Sequence, residues 1–219
     1  MSPTERLQEA QARLTSLASA ARTEPIDWNE FRSAQQEVLT AERELAETTG
    51  DEYAVPLDLG MAWSTGAPVP HVLASGRKAY VLFYLHDPDP DWDGTWTRVV
   101  QPGSPEPALL GTVTFRLVHA IKFGGPNDEA LEGHPLAGKG LQVYSAHRVV
   151  NSRWITAEEQ VNSVHPQHRG GWHDRLNHYV LCFHDQTLEC LAEGFTTKRH
   201  LAPPRTVLSE LANQLVDER

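Results

Sequence analysis

The sequence predicts an α+β fold: an N-terminal helical hairpin, an antiparallel β-sheet or partly closed β-barrel as the body, and a C-terminal helix. Three observations carry this. Residues 1–50 hold two helix starts followed by apolar residues three and four apart. From Tyr53 onward the apolar residues recur with period two between Pro and Gly, and helical spacing returns after Pro203 and Pro204.

Ser2, Pro3 and Glu5 supply a capping hydroxyl, a proline at the first helical position and a carboxylate in the first turn, so a helix starts there. Leu7, Ala10, Leu14, Leu17 and Ala21 give it one narrow apolar stripe. Asp27 with Glu30 forms the start of a second helix, Ile26 can staple onto Phe31, and the stripe continues through Ala34, Val38, Ala41 and Leu45 to a stop at Gly50. The alanines allow close backbone approach, so the two helices are expected to pair as a hairpin appended to the body. Packing against the rest of the chain is the first expectation for its stripe, and a homodimer through the hairpin is the alternative.

Residues 51–219 read as a β-rich domain. Segment 79–85 is apolar without alternation, as in a strand covered on both faces. Segment 112–123 alternates, with Val113, Phe115, Leu117, His119, Ile121 and Phe123 on one face and Thr112, Thr114, Arg116 and Lys122 on the other, which points His119 inward. Segment 141–150 is a further strand that places His147 with Leu141, Val143, Ser145 and Val149. A short helix is expected near 152–161, a polar histidine-bearing stretch after it, a hairpin of 179–183 with 188–192, and an amphipathic helix near 205–217 carrying Val207, Leu208, Leu211, Ala212 and Leu215.

The net charge of -10 and pI near 5.5 argue against a nucleic-acid surface, which needs clustered Lys and Arg, and favour a basic protein partner. The two cysteines, Cys182 and Cys190, fall in one hairpin and do not suggest a disulfide scaffold. No run approaches the roughly 18 apolar residues of a spanning helix, so no membrane association and a cytoplasmic location are expected.

Several motif matches fail on context. The run from Gly133 to Gly140 ends Gly-Lys-Gly, without the Ser or Thr that a phosphate-binding loop needs for magnesium, and a strand is expected next. Asp89, Asp91 and Asp93 open like a calcium loop, but its last ligand position is Val100. The same stretch displays Trp92 and Trp96 among carboxylates and is a candidate interaction loop for a basic partner. The His-Asp dipeptides at His86, His173 and His184 lie at strand ends and loops, where phosphohydrolase pairs do not sit.

Nine of the eleven histidines fall between His119 and His200. With Asp185 and Gln186 at the turn of the 179–192 hairpin, Phe183 is expected opposite Leu188, Leu181 opposite Cys190 and Tyr179 opposite Ala192, all on a core face. The other face then carries His178, Cys182 and His184 against Glu189 and Glu193, with Cys182 beside Glu189 and His178 beside Glu193; an odd-length turn would break this register. Imidazole and carboxylate on one face suit a divalent transition metal or a His-Glu general base, so His119, His134, His147, His178, His184 and Glu189 are the metal or pocket candidates. An outward-facing sheet surface is the plain alternative.

At IKFGGPNDEALEGHPLAGKGL, NSRWI, NSVHPQHR and YVLCFHDQTLEC the chain resembles a group of uncharacterised soluble bacterial proteins. The resemblance spans Tyr53 to Ala192 and implies no activity, ligand or catalytic residue. The residues themselves favour a cytoplasmic acidic binding or interaction protein without catalytic activity. A metal-dependent hydrolase or related enzyme using the His/Glu face is the second reading, and a small-molecule pocket inside a curved sheet, lined by His119 and His147, is the third.

Overall fold

Capping chemistry opens both N-terminal helices as their sequences require. In the computed structural model, which describes residues 1–23, 25–64, 66–87 and 103–217, the Ser2 hydroxyl accepts the Glu5 amide and the Glu5 carboxylate accepts the Ser2 amide at the head of α1 (Pro3–Ala20). Asp27 accepts the amides of Asn29 and Glu30 to open α2 (Trp28–Thr49), which ends at Gly50 in the left-handed region, φ 69°. The interaction-loop residues Asp89, Asp91, Trp92, Asp93 and Trp96 lie outside the described residues.

The hairpin docks on its own chain through α2. Ala34, Ala41 and Ala46 are buried there, whereas α1 buries no residue. Arg43 fixes the contact: its Nε donates to the Ala54 carbonyl at 2.8 Å and a terminal nitrogen donates to the Gly140 carbonyl at 2.9 Å, while Glu42 accepts the Gly140 amide at 2.9 Å.

Seven strands among the described residues form one antiparallel sheet: β1 (Tyr53–Pro56), β2 (His71–Ala74), β3 (Lys78–Tyr84), β4 (Ala108–Gly124), β5 (Ala146–Val150), β6 (Asn177–Cys182) and β7 (Thr187–Ala202). Their order is β1-β5-β6-β7-β4-β3-β2, with β1 and β2 as free edges, so the sheet is not closed into a barrel. It is nonetheless strongly curled. Phe83 of β3 and Phe183 beyond β6 meet at 5.4 Å between ring centroids, with Trp63 against both, although β7 and β4 separate their strands. Val81, Phe115, Leu181 and Leu188 fill the rest of this inner core. Each such side chain contributes roughly 1.5–3 kcal/mol by leaving water.

Two separate layers cover the outer face. Tyr80, Leu82 and Leu110 pack under Val207 and Leu211 of α4 (Pro204–Asp217), which explains why β3 is apolar without alternation. At the other end Ala54, Val149, Val180 and Cys182 pack under Leu131, Leu136 and Leu141 from the β4–β5 connection. Strand β5 is accordingly shorter than the expected 141–150, because Leu141 and Val143 belong to this covering layer. No helix among the described residues is long and apolar enough to cross a membrane.

Two local irregularities move side chains from their expected places. In β4 the pairing with β7 shifts between Val118 and Ala120, so His119 is an extra, bulged residue, and Leu117 adopts φ 51°. The extra residue interrupts the alternation: Val118 instead of Leu117 packs on the core, Ile121 keeps its expected core face, and His119 does not point inward. In the β6–β7 hairpin the loop is Phe183-His184-Asp185-Gln186, closed by the Phe183 amide on the Gln186 carbonyl at 2.9 Å. Leu181 therefore pairs with Leu188 and Tyr179 with Cys190, each two residues from the expected partner. An even shift preserves the faces while changing every neighbour.

Candidate functional site

The polar face of the β6–β7 hairpin is buried. Helix α3 (Arg153–Asn162) and the turn at Asp128–Gly133 with its continuation to Leu136 close over it, leaving a cleft of about 370 Å³ lined by Glu52, Lys122, His134, Trp154, His178 and Glu189, with Arg153 at its mouth. Three of the six histidine and glutamate candidates, His134, His178 and Glu189, meet here.

His178 is the central residue, 2% exposed. Because of the shifted register it sits opposite Leu191 rather than beside Glu193, and it reaches Glu189 on the diagonal, Nε2 to Oε2 at 2.9 Å. Its Nδ1 lies 2.9 Å from Ser152 Oγ. Ser152 is the N-cap of α3, and its Oγ also accepts the Ile155 amide at 3.2 Å. An oxygen that accepts from a backbone amide offers its own proton to Nδ1, so the chain of donors runs Ser152 to His178 to Glu189. Trp154 meets the His178 ring edge-on at 5.3 Å.

Glu189 is saturated from the other side as well. Lys122 Nζ donates to Oε1 at 3.3 Å and lies 3.7 Å from the centre of the Trp154 ring, a cation–π contact. His134 Nε2 is 3.9 Å from the same oxygen. Burial pushes the Glu189 carboxyl up, but the His178 hydrogen bond and the Lys122 charge outweigh it and hold the pKa at about 2. The Nδ1 of His134 accepts the Leu136 amide at 3.2 Å, which leaves the ring proton on Nε2 facing the cleft; burial lowers its pKa, against the pull of Glu189.

Glu52 completes the frame by accepting the Arg153 amide, the first of α3, at 2.9 Å. Asp51 next to it pairs with Arg153 at 2.6 Å and Lys139 at 3.1 Å. The glycine-rich run is thus structural, because Lys139 and Gly140 anchor it to Asp51 and Glu42 and so carry His134 into the cleft.

The remaining candidates are elsewhere. His119 lies at the bulge, 3.0 Å from Glu158 and against the Trp172 ring. His147 is 1% exposed beneath the outer layer; its Nδ1 has no hydrogen-bond partner among the described residues, and burial, with the Arg43 charge, lowers its pKa to about 4. His184 is in the hairpin turn, not on the strand face, and shares Asp128 with the Tyr144 hydroxyl, its Nδ1 at 2.9 Å. Cys182 faces Thr187 rather than Glu189, and burial raises its thiol and that of Cys190 to about 12, so neither is a nucleophile at neutral pH. Among the described residues, no group of three or more His, Cys, Asp and Glu is arranged to hold a metal ion. In the cleft itself, the Lys122 ammonium holds the Glu189 oxygen that His134 faces.

Ser152, Lys122, Trp154 and Glu52 were not among the sequence candidates. Ser152 carried a signal as a helix start and Lys122 as an outer-face residue of its strand; nothing local marked Glu52. Compared with protein-family models, with curated proteins and with solved structures, the chain matches none.

Proposed function

We propose that the chain is a non-catalytic binding protein and that the cleft between α3, the His134 segment and the β6–β7 hairpin is its ligand site. The single observation that carries this is the completeness of the cluster at its floor. Both His178 nitrogens and both Glu189 oxygens already have partners, and a carboxyl held at a pKa of about 2 is a weak base at neutral pH. Such a cluster fixes geometry and leaves His134, Lys122, Trp154 and Arg153 to meet a ligand. These groups suit a small polar molecule with an acceptor group for the His134 N–H and the Lys122 ammonium and a flat portion beside Trp154.

Backbone NMR during titration with a mixture of small polar fragments tests the reading. Saturable shifts at Lys122, His134 and Trp154 that disappear in Lys122→Ala support it, and a cleft silent to every fragment class overturns it. A serine-centred hydrolase is the second reading, favoured by the Ser152–His178–Glu189 chain. Ser152 is 6% exposed and its Oγ is occupied as a cap. Turnover of a p-nitrophenyl ester that is lost in Ser152→Ala, with the fold retained, would establish that reading instead.

A further inference from the structure

A second concavity lies at the β2–β3 turn, on the α4 side of the sheet and apart from the cleft. It encloses about 880 Å³, and Arg77, Lys78 and Arg116 line it together with Leu117, Gly194 and Leu215. Its charge runs against the chain's net -10. Lys78 and Arg116 are directly paired across β3 and β4, with the Lys78 ammonium 5.7 Å from the centre of the Tyr80 ring. Arg77 adds a third cation from the turn, where its carbonyl accepts the Val118 amide at 2.9 Å. Among the described residues neither the Arg77 nor the Arg116 guanidinium has a hydrogen bond or ion pair to an acid. Of the two acids in the groove, Glu193 is engaged by Arg175 at 3.4 Å, and Asp217 sits at the α4 end.

On β7 the residue paired with Arg116 is Gly194, and the Arg116 guanidinium lies over it, so that a Cβ there would make an ordinary van der Waals contact at 3.6 Å. At the lip, Leu117 is held in the left-handed region at φ 51°, uncommon for a bulky residue, and stays 40% exposed. Leu117 and Leu215 give the groove an apolar wall beside its cations.

We propose that this groove is a phosphate-binding site, taking the phosphate of an organic monoester between Arg77 and Arg116 with the ester's apolar body against Leu117 and Leu215. Planar guanidinium forks match the oxygens of a phosphate in pairs, and Arg77 and Arg116 supply two of them.

The test is an NMR titration of the full chain at low salt, with inorganic phosphate in one arm and phenyl phosphate in the other. Saturable shifts are expected at the amides of Gly76, Arg77, Arg116, Leu117 and Gly194, at lower concentration for phenyl phosphate, and weakened at least tenfold in Arg116→Gln. Arg77→Gln, on the exposed turn, provides the same readout should the strand variant fail to fold. Equal affinity for the two probes would keep the phosphate site and remove the ester. Absence of saturable shifts, shifts centred on Lys122 and Trp154 instead, or affinities unchanged in the variants would overturn the proposal. The fate of the cleft reading is read separately, from its own amides.

Discussion

The His178 Nε2 and the Glu189 Oε2 stand 2.9 Å apart without being cross-strand partners: His178 pairs with Leu191 and Glu189 with Val180. The contact is a diagonal one, made possible because the four-residue turn slides β7 by two positions. The electrostatics around it, and the backbone that docks α2 nearby, have consequences that can be measured.

Glu189→Gln removes a buried charge that Lys122 and His178 compensate. The folded pKa of about 2 lies below the ordinary 4.5, so this carboxylate stabilises the fold above pH 4.5 and loses that contribution as pH falls toward 2. The variant is expected to be about 3 kcal/mol less stable at pH 7, with the deficit shrinking through that window. Urea unfolding at pH 7, 4 and 3 checks it; a deficit independent of pH would contradict the assignment.

His147 acts in an adjacent window. Its pKa is lowered from 6.5 to about 4, so below pH 6.5 the unfolded chain binds a proton that the folded chain refuses. Stability is therefore complete above pH 6.5 and declines by roughly 3 kcal/mol as pH falls to 4. In His147→Gln most of this slope should vanish, leaving a smaller one from His134 and His200, whose pKa values are lowered in the same sense. Denaturant midpoints between pH 4 and 7 give the slope directly.

Gly138 and Gly140 separate backbone strain from steric conflict. Both have positive φ, 69° and 82°, but only at Gly140 would a Cβ meet neighbours, at 2.6 Å from Arg43 and 2.7 Å from the Ala54 carbonyl. Gly138→Ala is expected to cost about 1 kcal/mol, and Gly140→Ala about 1–3 kcal/mol more through undocking of α2. Thermal unfolding of the pair, together with hydrogen exchange in α2, distinguishes the two costs.

Glu159 ties the histidine-bearing loop to α3 through a hydrogen bond with His168 Nε2 at 2.8 Å, while His173 Nδ1 lies 3.1 Å from its other oxygen without hydrogen-bond alignment. Burial raises its carboxyl, and the two histidines outweigh this, so its pKa is lowered and the tie is lost as pH falls below the usual carboxylate range. Glu159→Gln should speed hydrogen exchange and proteolysis within residues 163–176 at neutral pH while leaving the sheet protected. Unchanged exchange there would show that the loop is held by other contacts.

The sequence by itself determined the elements whose causes are local. Ser2, Asp27, Ser152 and Gly50 mark helix ends because capping hydrogen bonds reach only a few residues. The α+β class, the doubly covered β3 and the assignment of His178 and Glu189 to one face of β6–β7 follow from the same short-range periodicities. What only the tertiary structure decided depends on register and long-range contact. A one-residue bulge turned His119 away from the core, and a turn longer by two residues replaced the expected neighbours of His178 and Cys182. The polar face was buried rather than exposed because Leu131, Leu136 and α3, from distant parts of the chain, close over it. That closure also brought His134 to Glu189 and Ser152 to His178, whereas Lys122 reaches Glu189 as its direct partner across β4 and β7; side-chain periodicity specifies which face a residue takes but not what is folded against it.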